Sequence, residues 1–251
     1  NREMKNKSNQ EMVCGINILT QIIELRPESV SCLFVGGTKK LRFSSLIEKA
    51  TKNGICIEEK NNDFFEENFK GINHQNVAIS CDKRTEESES YLQKIVEKDE
   101  LRLLVLDSLS DPHNVGACIR SAAAASVDAV IVPKNRSCHL TPTVRRISSG
   151  ASELIPFVIV TNLVRTLDFL KKSGVRVYGS DLEASQPYDK VLYTSKLALV
   201  VGSEDKGMRR LTKENCDELI KIDMADKIES LNASVSTGIM LFEIVRQNNL
   251  D

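Results

Sequence analysis

The stretch LRLLVLDSLSDPHNVGACIRSAAAASVDAVIVP (residues 101–133) decides how the rest of the chain is read. Two short apolar runs, 101–107 and 128–133, flank a segment whose Ala122 to Ala125 run permits close helix packing. Strand, helix and strand in that order form a βαβ unit, with the strands parallel and covered on both faces. The pattern continues downstream. Strand-like runs at 153–160, 174–181, 197–202 and 218–222 alternate with helical segments, and the chain ends in an apolar helix, Leu231 to Gln247, with Val235, Ile239, Leu241, Phe242 and Val245 on its buried flank. The expected class is α/β.

Upstream of residue 101 a smaller α/β unit is predicted. CGINILTQIIEL (14–25) has helical spacing, SCLFVGG (31–37), GICIE (54–58) and NVAIS (76–80) read as strands, Leu41 to Asn53 reads as a second helix, and DFFEENF (63–69) is aromatic-rich. Between the units, TEESESYLQKIVEKDE (85–100) is acidic with little apolar patterning and reads as a linker. The division is therefore 12–84, 85–100 and 101–251.

Composition narrows the function classes. Of 251 residues, 41% are hydrophobic and 27% charged, the profile of a globular protein rather than a disordered or collagenous one. The longest apolar stretches, such as Leu197 to Gly202, fall far short of the roughly 20 residues that span a bilayer. The polar start, Asn1 to Gln10, lacks a secretory core, so a cytoplasmic, membrane-free setting is expected. Seven cysteines stand singly, without a CxxC pair, and only Cys138 and His139 adjoin as metal-ligand types. No metal is expected. The net charge of −1 means that nucleic-acid contacts must be local.

In parallel sheets ligands bind beyond the carboxyl ends of strands. Three loops meet that condition: DSLSDPHNVGACIR (107–120), GSEDKG (202–207) and IDMADKIESLN (222–232). Asn114 is able to cap a helix, Gly116 allows close approach, and Arg120 offers a phosphate-facing fork. Glu204 stands between two glycines at a strand end, where its carboxylate can be aimed into a cleft. Ser230 and Asn232 lead into the last helix. Neither a P-loop nor a Gly-x-Gly-x-x-Gly motif is present.

In this order, DPHNVGACIR, LVVGSEDKGM and IDMADKIESLNASVSTGI resemble the three motifs of the SpoU/TrmH branch of the SPOUT RNA methyltransferases. KGMRRLTKENCDELI (206–220), LFEIVRQ (241–247) and KGINHQNVAIS (70–80) are similar to the group within it that methylates a guanosine ribose in 23S ribosomal RNA. The resemblance covers roughly residues 12–250. It implies a SPOUT catalytic domain with a parallel sheet and a deep trefoil knot, and a small N-terminal RNA-binding domain resembling ribosomal protein L30e. It further implies an S-adenosylmethionine cofactor, a 23S ribosomal RNA substrate, and a homodimer whose active sites combine both protomers. Carried over by position, Gly202, Ile222 and Leu231 hold the cofactor, and Asn114, Arg120, Glu204, Ser230 and Asn232 form the catalytic set. On this reading Arg120 clamps a phosphate and polarises the ribose hydroxyl, with Asn114 and Glu204 fixing its guanidinium. His74 follows the family's His-Gln pair and belongs to the N-terminal domain's structure or RNA face. Lys39, Lys40, Arg42, Arg136, Arg145, Arg146, Arg209 and Arg210 are the candidate phosphate contacts.

The sequence departs from the family pattern where Asp205 replaces a common glycine, where Asp223, Met224, Ala225 and Asp226 replace Pro-Met-x-Gly, and where Asn76 replaces a glycine after His-Gln. A non-catalytic RNA-binding or ribosome-assembly protein, or a transfer RNA 2′-O-methyltransferase, are the alternatives.

Overall fold

The computed structural model describes residues 9–37, 42–225 and 230–248. The chain divides into two compact units, residues 1–85 with 149–154, and residues 86–148 with 155–251.

The first unit is built on a four-stranded sheet. Strands β1 (Gln10–Cys14), β2 (Val30–Gly36), β3 (Cys56–Lys60) and β4 (Val77–Asp82) lie in the order β1-β4-β2-β3. Only the β2/β3 pair is parallel. Helix α1 (Ile16–Leu25) buries Ile18, Leu19, Ile22 and Ile23, and α2 (Ser44–Lys52) buries Leu46 and Ala50, against Leu33, Val35 and Ile79. Those positions follow the 3.6-residue period that marked the first helix in the sequence. Helix α3 (Asn62–Asn68) places Phe65 in a second cluster with Ala78 and Cys14. The ring of His74 stacks on Phe65 at 5.5 Å, and its Nδ1 accepts the N–H of Asn76 at 3.0 Å. His74 is thus a buried packing residue. Asn76 adopts φ +59°, which explains how it stands in for glycine, since Asn tolerates the left-handed region.

The second unit carries an eight-stranded, wholly parallel sheet. Its strands are β5 (Glu87–Ser88), β6 (Leu101–Asp107), β7 (Ala129–Pro133), β8 (Phe157–Val160), β9 (Arg176–Ser180), β10 (Gln186–Pro187), β11 (Lys196–Gly202) and β12 (Glu218–Lys221). They run in the order β10-β12-β9-β11-β6-β7-β8-β5. The central strands are buried along nearly their whole length, with only Arg102 of β6 and Lys196 of β11 partly exposed, as strands covered on both faces are. From β6 the chain moves outward to β7 and β8, then returns to the other side for β9, β11 and β12. The order reverses between β6 and β11, and in such sheets that switch point opens a crevice at the carboxyl ends.

Three readings change. Residues 85–100 are not a linker: β5 pairs with β8, and α4 (Ser90–Ile95) places Leu92 and Ile95 in the core of the second unit. The run 153–160 begins as a helical turn, α7 (Ala151–Leu154), and only 157–160 is strand. The last helix, α10 (Ala233–Asn248), buries Ala233, Thr237, Met240, Leu241 and Ile244, while Val235 and Phe242 stay about half exposed. Among the described residues no helix is long and apolar enough to cross a membrane.

Candidate active site

Gly202 and Asp107 end neighbouring strands and are direct partners in the β11/β6 register. The two fix opposite ends of the loop that follows β11. At Gly202, a Cβ atom would lie 2.1 Å from the carbonyl carbon of Gly207 and 2.2 Å from the amide nitrogen of Met208. Only glycine fits under that main chain. Ser203 and Gly207 close the turn by exchanging backbone hydrogen bonds of 2.8 and 3.2 Å. Within the turn the left-handed residue is Gly207, at φ +63°, so Asp205 meets no unusual backbone demand. Asp107, fully buried, accepts the backbone N–H of Arg209 at 2.8 Å and its Nε at 2.7 Å. An aspartate directly after the apolar run Leu103 to Leu106 is the sequence signal for this anchor.

Glu204, at the crest of the turn, gathers the other two loops. Helix α5 (Pro112–Ala124) is capped by Asp111, whose side chain accepts from His113 N–H, with Pro112 at the first helical position. Capping therefore falls to Asp111, and the amide of Asn114 is left to donate to Glu204 Oε1 at 3.1 Å. Asn232 Oδ1 accepts Ser234 N–H at 3.0 Å, capping α10, while its Nδ2 donates to Asn114 Oδ1 at 2.8 Å and to Glu204 Oε1. The N–H of Ala233 completes the set on Glu204 at 2.8 Å. Residues separated by 90 and 118 positions in the chain thus meet in one hydrogen-bonded cluster.

Beside the cluster lies a cavity of about 390 Å³, lined among others by Gly202, Glu204, Ile222, Ser230 and Leu231. Five of the eight expected site residues therefore face one space. Asn114 and Asn232 join it through Glu204. Arg120 does not. It lies six residues beyond Asn114 in α5, about 9 Å along the axis, exposed and with no hydrogen bond or ion pair among the described residues. Asn114 and Glu204 bond to one another and to Asn232 rather than to its guanidinium.

The cavity lining is both apolar and charged. Leu182, Met208, Met224 and Met240 contribute apolar lining that the sequence reading did not assign to the site. The lining also carries charge: Lys206, Lys213 and Lys221 against Asp181, Glu183, Glu204 and Asp205, one negative charge in excess. Asp181, 2.8 Å from Lys213, holds that ammonium above its usual pKa range through their hydrogen bond. Asp223 points to Lys221 at 3.1 Å and does not line the cavity; Asp226 is outside the described residues.

Of the candidate phosphate contacts, Lys39 and Lys40 are outside the described residues. Arg145 is 1% exposed, so its charge serves the interior of the fold. Arg209 is tied to Asp107 through Nε, and Arg210 pairs with Glu214 at the surface. Arg42 and Arg136 are exposed, and Arg146 is half-buried. His139 sits between Glu86 and the Lys134 carbonyl, bonded to both through its ring nitrogens.

Residues 102–242 match the SpoU rRNA Methylase family, and residues 12–87 match the domain described as RNA 2′-O ribose methyltransferase substrate binding. The chain belongs to the SpoU rRNA methylase family. Its similarity to individual members is extensive. It is 41% identical to the 23S rRNA (guanosine-2′-O-)-methyltransferase RlmB of Escherichia coli strain K12, over 95% of this chain and 99% of that protein. The RlmB of Pseudomonas putida is 39% identical over 97% and 99%. Among solved structures, the SpoU methyltransferase AviRb of Streptomyces viridochromogenes in complex with AdoMet superposes with a TM-score of 0.79 at 20% identity, covering 100% of this chain and 95% of that one. An AdoMet-bound rRNA methyltransferase from Sinorhizobium meliloti gives 0.77 at 22%, covering 98% and 90%. These structures share this chain's fold, and the three loops that converge on Glu204 lie within the matched residues 102–242.

Proposed function

We propose that the chain transfers a methyl group from S-adenosylmethionine to the ribose 2′-hydroxyl of a guanosine in 23S ribosomal RNA. The observation that carries this reading is the convergence of Asn114, Glu204 and Asn232 beside the cavity, in a chain about two-fifths identical to RlmB proteins over nearly its whole length.

The cavity suits the cofactor. The glycine-only approach at Gly202 brings bare main chain to the wall, where backbone groups recognise an adenine edge. The methionines in the lining suit an adenine face, and the excess of one carboxylate complements a ligand of net positive charge. When bound, S-adenosylmethionine supplies a methyl group already activated by its sulfonium, so the reaction requires no metal ion.

The chain's own task is then positioning. The ribose hydroxyl is a weak nucleophile, and alignment alone contributes on the order of 7–11 kcal/mol in favourable intramolecular cases. Glu204 is held by three donors and so keeps a fixed direction at the cavity edge. Ser230 adds a hydroxyl on the same wall. Arg120, exposed on α5, reaches a second copy's cavity across a homodimer, where its fork clamps the phosphate next to the target ribose and polarises the hydroxyl. Val235 and Phe242, half exposed on α10 beside α5, supply apolar surface for that dimer. A trefoil knot belongs to the same reading. It is supported by the packing of α10 on α5 and by the N–H of Ala233, at the start of α10, bonded to Glu204 in the 203–207 turn. The setting is the cytoplasm, where ribosomal RNA is made.

The test is a methylation map of ribosomal RNA from cells with and without the gene. One 2′-O-methylguanosine in 23S RNA should disappear without it. An unchanged map would overturn the proposal, and loss of a transfer RNA mark instead would move the substrate.

A further inference from the structure

A second cavity, of about 620 Å³, opens at the carboxyl ends of β7 and β8. It is on the same edge of the sheet as the first. The strands β11, β6, β7 and β8 are consecutive neighbours, so it lies two to three strand spacings, roughly 10–15 Å, from Gly202. Three of the eight candidate phosphate contacts, Arg136, Arg209 and Arg210, line it, and no aspartate or glutamate does among the described residues. Carboxylates just outside the lining pair with two of them, Asp107 with Arg209 and Glu214 with Arg210, and Glu89 accepts the N–H of Thr161 in the wall, so Arg136 is the arginine of the lining with no carboxylate partner among the described residues.

The arginines are available in different ways. Arg136 is exposed and makes no hydrogen bond or ion pair among the described residues. Arg209 is oriented by buried Asp107 through Nε, and its two terminal nitrogens have no partner among the described residues. Arg210 pairs with Glu214 at 2.8 Å, but both side chains are more than half exposed, and such a pair is readily exchanged for a phosphate.

Two further features favour an anionic ligand. Helix α8 (Leu163–Lys172) starts in the cavity wall, and Asn162 Oδ1 takes the N–H of Arg165, leaving the N–H groups of Leu163 and Val164 without a partner in the helix. Thr212, also in the wall, is 1% exposed, and its hydroxyl makes no hydrogen bond among the described residues. A buried hydroxyl without a partner is expensive, and a ligand oxygen would satisfy it. Leu211, half exposed, adds apolar surface for a sugar or base.

We infer that this cavity binds a phosphodiester of the RNA strand, a few nucleotides from the ribose presented at Glu204. The inference rests on the function proposed above and adds a substrate-positioning site to it. The strand would then run along the carboxyl edge of the sheet, held at the second cavity while the target nucleotide enters the first.

The test uses the full chain, the Arg136→Ala/Arg210→Ala double variant and the Arg136→Lys/Arg210→Lys variant. Both altered side chains are exposed, and the Asp107–Arg209 anchor stays intact. Filter binding of a 23S ribosomal RNA transcript is measured across a salt series, together with calorimetric titration by S-adenosylmethionine. Loss of two phosphate contacts should weaken RNA binding roughly tenfold or more and lower the log–log salt slope by about 1.4–1.8. Affinity for S-adenosylmethionine should stay unchanged, and the lysine variant should recover most of the binding. Turnover, where measured, should show a raised KM for RNA with kcat nearly constant. An alanine variant with the parent's RNA affinity and salt slope overturns the inference, and so does a cofactor affinity that falls with it, which would indicate general damage. If the parent chain binds the transcript but transfers no methyl group, the proposed function fails while this site is still judged by the binding data.

Discussion

Replacing Gly202 by alanine should damage the cofactor cavity out of proportion to the size of a methyl group. The added carbon would lie 2.1 Å from Gly207 and 2.2 Å from Met208, both main-chain atoms, whereas carbon contacts settle at about 3.5–4.0 Å. Relief needs a shift of about 1.4 Å or more in a segment that is closed by the Ser203–Gly207 hydrogen bonds and anchored by Arg209 on Asp107. Overpacking of this kind costs about 1–3 kcal/mol, and each turn hydrogen bond lost adds about 0.5–1.5. A total near 3 kcal/mol should lower the midpoint of thermal unfolding by about 6–12 °C in a protein of this size. A loop that escapes by opening instead would raise the Kd for S-adenosylmethionine more than about tenfold, since 1.4 kcal/mol is a factor of ten. Gly207→Ala is the matched control. Its φ of +63° costs about 1–2 kcal/mol, but the space beside it is empty. Scanning calorimetry and isothermal titration of both variants decide the matter. Equal effects, or a milder effect at Gly202, would refute the reasoning.

Arg120→Ala should abolish methyl transfer while leaving S-adenosylmethionine affinity within about twofold, because the side chain lies outside the cavity; a parallel loss of cofactor binding would contradict the assignment. Asp107→Asn should destabilise the second unit by about 1–3 kcal/mol in urea unfolding, by weakening a charged pair that is buried on the aspartate side only. His139 gains two acceptors on folding, the Lys134 carbonyl first and Glu86 second, which raise its pKa. Its charged form therefore stabilises the fold fully below the unfolded value of about 6.5, and this contribution disappears as pH rises through the folded value. The stability gap between the parent and His139→Ala should accordingly shrink from acid to alkaline pH, by less than about 1 kcal/mol for a side chain this exposed. Burial pushes the thiols of Cys81 and Cys118 up to about 11 and that of Cys216 to about 12, whereas Cys56 is exposed. Limited alkylation at about pH 8 should label Cys56 first, with mass spectrometry as the readout.

The parallel sheet was legible because its strands are unbroken apolar runs, such as Leu103 to Leu106 and Leu197 to Val201, that only a doubly covered sheet accommodates. The short elements were not. Helix α4 has six residues, too few for a period to emerge from TEESESYLQKIVEKDE, and its buried Leu92 and Ile95 are outnumbered by charges. In α10 two apolar stripes compete, and which one faces the protein's own core depends on α5, a helix more than a hundred positions earlier. The meeting of the three loops could be expected from strand-end positions and family motifs. Division of labour within them could not. Asp111 takes the cap and frees Asn114, which depends on Pro112 starting the helix. Arg145 and Arg209 look like surface charges in sequence because burial and an anchor such as Asp107 are tertiary facts.

The most direct measurement incubates the purified chain with 23S ribosomal RNA and methyl-labelled S-adenosylmethionine, then maps the label by nuclease digestion and mass spectrometry. The account predicts label on the ribose of a single guanosine, absent when Glu204→Ala or Asn232→Ala protein is used. Label on a base, label on another nucleoside, or an RNA that stays unlabelled while the cofactor binds would contradict it.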